Sequence, residues 1–244
     1  MRHAYTVLVG AAVLIGLELA YRRARQTGLD TRILINGSLW AVVIGFPVSH
    51  WFLELLYHPE RVLDDPFTYL FLRTGLSSFG GFFGGMLGAF LYFRWKRVPY
   101  LPYIEAILFG FVPVWILGRL GCTLAFDHPG LPTDFFLGMT DRAGTVRHNL
   151  GLYEMLWTVV MTAVLYASRN VRKFHGFHSV LMISLYAPVR FGLDFLRVDE
   201  KTYWGLTPAQ YGCIALVILG LHLTKRGLRD GPPTTTSTVP RPDA

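Results

Sequence analysis

Two arginines stand where arginine is least welcome. Arg119 ends the apolar run Ile104 to Leu120, within Gly118-Arg119-Leu120-Gly121-Cys122, and Arg190 lies inside a second apolar stretch, Tyr186 to Arg197. A guanidinium near a bilayer centre costs roughly 3 kcal/mol on insertion scales, so it normally faces a partner, a cavity or an anionic ligand. Asp194 is four residues after Arg190 and shares its helix face, and Arg197 extends that face. One reading is an intramembrane salt bridge that neutralises Arg190. The other is a cationic pocket for phosphate, with Asp194 fixing a guanidinium whose planar fork donates two parallel hydrogen bonds. Arg119 has no acidic residue at helical spacing, which points to an anionic ligand or a cross-helix partner. Glu154 lies just inside another apolar run, where an ionised carboxylate needs a partner or a proton. Arg119 and Arg190 are its cross-helix candidates. His148 opens that run, and an imidazole is the side chain suited to general-base work, so it is a candidate base, although a histidine at a helix end is more often a cap or a surface residue.

The elements that must position these residues are apolar helices. The chain has 244 residues, is 52% hydrophobic and only 16% charged, and its mean hydropathy is +0.38; soluble domains are less apolar and more charged. Seven segments approach spanning length: Thr6–Tyr21, Ile33–Tyr57, Leu76–Phe93, Ile104–Leu120, Leu150–Ala167, Phe177–Phe195 and Pro208–Leu223. The first resembles a signal peptide after Arg2, but six further spans follow it, and it reads as a retained helix. Of the 23 lysines and arginines, fourteen cluster at one set of segment ends and seven at the other, with Arg119 and Arg190 between. That bias places the N-terminus outside and the C-terminus in the cytoplasm. The net charge of +7 is then a topology signal that also favours anionic lipid headgroups. It is not a nucleic-acid footprint, because no basic stripe alternates with aromatics on a soluble domain.

The expected architecture is an all-α integral membrane protein, with residues 1–228 forming one seven-helix domain and 229–244 a disordered Pro/Thr/Ser-rich cytoplasmic tail. The longest loop, about Thr123 to Asn149, lies on the outer side and reads as turns packed on the membrane or over a cavity. Glycines 80, 84 and 88, with 81 and 85, line faces of the third span. Such faces suit close helix packing or a lipid groove, and the helix start at Ser77–Gly81 can receive an anion. His50 and Glu54 are four apart, but no metal-binding string accompanies them. His175 and His178 read as membrane-surface residues beside Arg172 and Lys173. Nothing pairs Cys122 with Cys213. No nucleophile elbow, P-loop or dinucleotide fingerprint is present.

Taken together, these strings resemble the prolipoprotein diacylglyceryl transferase family from about residue 10 to 225. Gly118-Arg119-Leu120-Gly121 matches its Gly-Arg-x-Gly signature. His148, Leu152, Tyr153 and Glu154 match part of its His-Pro-x-Gln-Leu-Tyr-Glu string, and Tyr186, Arg190, Asp194 and Arg197 match its Tyr-x-x-x-Arg-x-x-x-Glu-x-x-Arg helix. Gly75 to Gly81 resembles its glycine segment. The resemblance implies a seven-helix bacterial inner-membrane enzyme, without cofactor or metal, that moves the diacylglyceryl group of phosphatidylglycerol onto the lipobox cysteine of a prolipoprotein signal peptide. It implies that Arg119 and Arg190 bind the headgroup phosphate and that Glu154 and Asp194 orient them. Tyr186 would donate a hydrogen bond, and Arg197, Tyr153, Gly80 and Gly81 would line the substrate site. The chain departs from the family at Phe79, where the family has histidine, and at Asn149, Gly151 and Asp194, which stand for Pro, Gln and Glu. The candidate bases are therefore His148 and the pair Asp127–His128. A paralogue that binds phospholipid or lipoprotein without transfer is the alternative.

Overall fold

The computed structural model of the chain describes residues 2–64, 67, 75–126, 129–141, 143–198 and 200–231. Its elements in order are α1 (Arg2–Gln26), α2 (Thr31–Tyr57), α3 (Pro59–Asp64), α4 (Ser78–Trp95), α5 (Tyr100–Ala125), β1 (Pro129–Pro132), β2 (Met139–Thr140), β3 (Val146–Asn149), α6 (Leu150–Ala167), α7 (Phe177–Leu193), a 3-10 turn (Asp194–Leu196) and α8 (Pro208–Asp230). Among the described residues, five helices are long and apolar enough to cross a membrane: α2, α5, α6, α7 with its following turn, and α8. α1 and α4 are comparable in length, at 25 and 18 residues, but α1 ends in a charged stretch and α4 is diluted by glycine.

The helix starts are set by local chemistry. Asp30, Ser77, Asn149 and Thr207 each accept a backbone N–H of the first turn of the helix that follows, which satisfies donors that a helix start leaves open. Helix pairing follows the small residues. α2 packs most extensively on α4, α1 on α5, α5 on α6 and α7 on α8. A Cβ at Gly84 would sit 2.6 Å from Val48 Cβ and 2.9 Å from the α-carbon of Gly45, so α4 lies against α2 backbone to backbone. Gly151 does the same between α5 and α6, where a Cβ would lie 2.9 Å from the Thr123 nitrogen and 3.0 Å from the Cys122 carbonyl carbon.

Two apolar cores result. One joins Ala20, Ala24, Leu34, Phe93, Tyr103 and Ala106. The other, nearer the arginines, joins Phe79, Val112, Met161, Tyr186, Ala187 and Cys213. No disulfide joins Cys122 and Cys213.

The all-α expectation needs one correction. The loop after α5 forms a three-stranded antiparallel sheet in the order β1-β3-β2, with Pro129 opposite Asn149 and Met139 opposite Arg147. Its strands are two to four residues long and lack alternation, so no period betrays them. Helix α8 runs to Asp230, and residues 232–244 lie outside the described residues.

Candidate active site

Three helices bring the expected charges into one layer at the end of the bundle that carries the sheet. Arg119 comes from the last turns of α5, Glu154 from the second turn of α6, and Arg190 from the last turn of α7. All three are buried, as is Asp194. Glu154 lies between the guanidiniums, 2.7 Å from Arg119 Nη2 and 3.6 Å from Arg190 Nε. Arg190 also donates to Asp194 through Nη1, and Arg197 Nε is 3.1 Å from the same carboxylate oxygen. Arg197 in turn pairs with Glu200. Arg190 thus has the salt bridge that helical spacing offered, and Arg119 has a cross-helix partner, one of the two counterparts its position pointed to.

The pairing does not exhaust the donors. A guanidinium offers five N–H groups. Among the described residues, Arg119 Nε, Arg190 Nε and the Tyr186 hydroxyl are buried with no hydrogen-bond partner. Tyr186 sits one turn before Arg190 on the same helix, and its ring is 4.9 Å from that of Trp115. Trp115 lies beneath the Arg119 guanidinium at 5.4 Å, and Phe79 beneath Arg190 at 5.8 Å. Both contacts fall within cation–π range. A cavity of about 10 Å³, bounded by Glu154, Tyr186 and Arg190, leaves room for about one water. The layer is thus formed but closed.

Other expected residues fall elsewhere. His148 on β3 is 2.8 Å from the Tyr153 hydroxyl through Nδ1, and Phe135 packs beside both rings. No hydrogen bond or ion pair among the described residues joins this His–Tyr pair to the arginines. Asp127 and His128 lie outside the described residues. Gly80 packs on α2, where a Cβ would meet Phe52 and Ser49, and its amide is capped by Ser77 Oγ at 3.4 Å. The Gly81 amide closes on the Ser77 carbonyl at 2.9 Å. The glycine face is therefore filled by a helix, and these two amides are not open to an anion. Its indirect service is to press α4 close, so that Phe79 reaches Arg190.

The family model described as Prolipoprotein diacylglyceryl transferase matches residues 2–225. The chain belongs to this family. A phosphatidylglycerol–prolipoprotein diacylglyceryl transferase of Clostridioides difficile (strain 630) is 25% identical over 227 residues, covering 91% of this chain and 91% of that protein. A second, from Streptomyces coelicolor, is 30% identical over 243 residues, covering 90% of this chain and 75% of the relative. A third, from a Nostoc species, is 24% identical over 261 residues, covering 96% and 90%. With five apolar helices and this membership, the chain is a multi-pass membrane protein of a transferase family.

The contacts of two residues of this site, Asn149 and Thr207, escaped notice in the sequence. Asn149 caps α6 by accepting from Leu152 N at 3.2 Å, while its Nδ2 donates to the Thr123 carbonyl at 3.0 Å. One amide thereby ties the ends of α5 and α6, and with them Arg119 and Glu154. Thr207 donates to Asp194 from the start of α8. A cap residue just before an apolar run was the available signal for both. His178 is buried against Phe109 and Phe177, not exposed at a membrane surface as its basic neighbours suggested. His50 and Glu54 are fully buried, with His50 Nδ1 3.3 Å from the Gly75 carbonyl.

Proposed function

We propose that the chain is a seven-span enzyme of the bacterial inner membrane, N-terminus outside and C-terminus cytoplasmic. Residues 1–228 would form its one membrane domain and residues 229–244 its tail. It transfers the diacylglyceryl group of phosphatidylglycerol to the lipobox cysteine thiol of prolipoproteins. The observation that carries this reading is the buried layer of two arginines from different helices, bridged by Glu154, with donors to spare on both guanidiniums and on Tyr186.

The chemistry asks for little else from the protein. The nucleophile is the substrate's thiol, reactive as thiolate. A carbon–sulfur bond forms at the glyceryl carbon as its bond to the phosphate oxygen breaks. The electron pair leaves with glycerol phosphate, which gains one negative charge. Arg119 and Arg190 face that charge with preoriented donors in a dry site, and Tyr186 adds a third. Glu154 and Asp194 hold the guanidiniums, and Arg197 holds Asp194. The thiol proton goes to His148, oriented by Tyr153, or to the Asp127–His128 pair.

The acyl chains have an apolar channel to occupy. A groove of about 650 Å³ between α2, α4 and α8 is lined by Phe52, Phe83, Tyr211, Gly212 and Ala215. Gly212 packs on the Phe79 ring, which places this groove one side chain from Arg190. Phe79, in place of the family's histidine, makes that wall apolar.

Purified full-length protein, phosphatidylglycerol labelled in its acyl chains and a lipobox signal peptide supply the test. Labelled thioether peptide and released glycerol phosphate are expected, and neither with a peptide carrying serine for cysteine. Absence of product from the wild-type protein overturns the reading.

A further inference from the structure

The N-terminus of α8 does more than start a helix. Thr207-Pro208-Ala209-Gln210 forms a capping box: Thr207 Oγ1 accepts from the Gln210 amide at 3.1 Å, and Gln210 Oε1 accepts from the Thr207 amide at 2.9 Å. Such a box satisfies two donors that a helix start leaves open. Here both side chains are buried, and each makes one further bond to the end of α7. The Thr207 hydroxyl donates to Asp194 Oδ2, and Gln210 Nε2 donates to the Phe191 carbonyl at 3.2 Å. A hydroxyl has one proton to give. With the Gln210 amide on one lone pair, that proton is directed at Asp194.

The two oxygens of Asp194 are thereby divided. Oδ1 takes Arg190 and Arg197, and Oδ2 takes Thr207. Two arginines compete for one carboxylate, and a neutral donor from another helix decides how it is turned. Without that donor a buried oxygen loses its partner, and rotation of the carboxylate offers both oxygens to Arg197. Arg190 would then be held by Glu154 alone, at 3.6 Å.

We infer that Thr207 is a positioning residue for phospholipid transfer, acting through Asp194 to set the Arg190 guanidinium, with Gln210 fixing the direction of its hydroxyl. The inference rests on the proposed transferase reading. Thr207 does not itself touch the phosphate; it fixes the angle from which Arg190 meets it, and small misplacements of such groups carry large rate penalties.

Three variants separate positioning from capping. Glycine caps a helix nearly as well as threonine but has no hydroxyl, valine keeps the shape without it, and serine keeps the hydroxyl. Thr207→Gly and Thr207→Val should lower kcat/KM for phosphatidylglycerol on the order of tenfold, with the KM for the signal peptide unmoved. Thr207→Ser should recover most of the loss. A capping role alone predicts near-wild-type kinetics for Thr207→Gly, and that result overturns the inference. So does an equal rise in both KM values. Failure of the wild-type protein to transfer sinks the transferase reading separately. Thr207 is then judged on phosphatidylglycerol binding in nanodiscs: several-fold weaker binding by Thr207→Gly supports it, and equal binding overturns it.

Discussion

Helices α5, α6 and α7 hold an ionic cluster at each end, and the two are built differently. At the end away from the sheet, charged side chains close on backbone. Glu105 accepts from the His178 amide at 2.8 Å, His178 Nε2 lies 3.0 Å from the Ser168 carbonyl, and Arg23 donates to the Arg169 carbonyl at 2.7 Å while lying 4.2 Å over the Phe109 ring. At the sheet end, charge meets charge: Arg119, Glu154, Arg190, Asp194 and Arg197 bond chiefly to one another, with buried N–H groups left over. A group that closes on backbone is a fastener, because its partner cannot leave without unwinding a helix. A group that closes on a side chain can exchange that partner for a ligand of like charge. The contrast, more than burial itself, is what suits the sheet end to the anion of the proposed reaction.

The comparison breaks most sharply at Arg190. Arg190→Ala should lower kcat/KM for phosphatidylglycerol by about a thousandfold, the range seen when one transition-state donor is removed. Turnover close to wild type in a radiolabel transfer assay would reduce the sheet-end cluster to a second fastener. Next comes Glu154→Gln, which leaves Arg119 with a neutral partner in a dry site. Breaking one side of a buried ion pair costs about 3 kcal/mol, read as a lower unfolding midpoint in mixed micelles together with lost activity. At the opposite end, Glu105→Gln should cost about 1 kcal/mol of stability and leave turnover per folded molecule intact. A change in kcat there would show the two ends to be coupled.

The smallest effect sharpens the picture of the sheet. Asp141 accepts from the Thr145 and Ala143 amides at 2.9 and 2.8 Å and from Arg147 Nε at 2.8 Å. The Thr145 amide first, then Arg147, holds its carboxyl below the usual carboxylate range. A depressed carboxyl stabilises the fold above its unfolded pKa of about 3.9, and that contribution fades as pH falls through the lower folded value. The protection of the Ala143 and Thr145 amides, taken relative to the intrinsic exchange rate at each pH, should therefore fall in acid, and Asp141→Asn should remove that acid dependence.

Much of this was readable from hydropathy. The expected spans Ile33–Tyr57 and Leu150–Ala167 end where α2 and α6 end, because the apolar runs set their lengths. The Arg190–Asp194 pair followed from helical spacing, and Glu154 from its isolation among apolar neighbours. The sheet was invisible because its strands are too short to show a period. The bond from Thr207 to Asp194 was invisible because it joins residues thirteen apart across a turn. The burial of His178 was misread because its neighbours in sequence are basic, whereas its neighbours in space are aromatic.

One contact has a consequence for the gene. Every single-base missense change of a glycine codon adds a side chain. At Gly151 any such addition falls on the α5 backbone at Cys122 and Thr123, between the segments that bear Arg119 and Glu154. The gap between these two charges is kept by an atom that is not there, so position 151 offers mutation no small step.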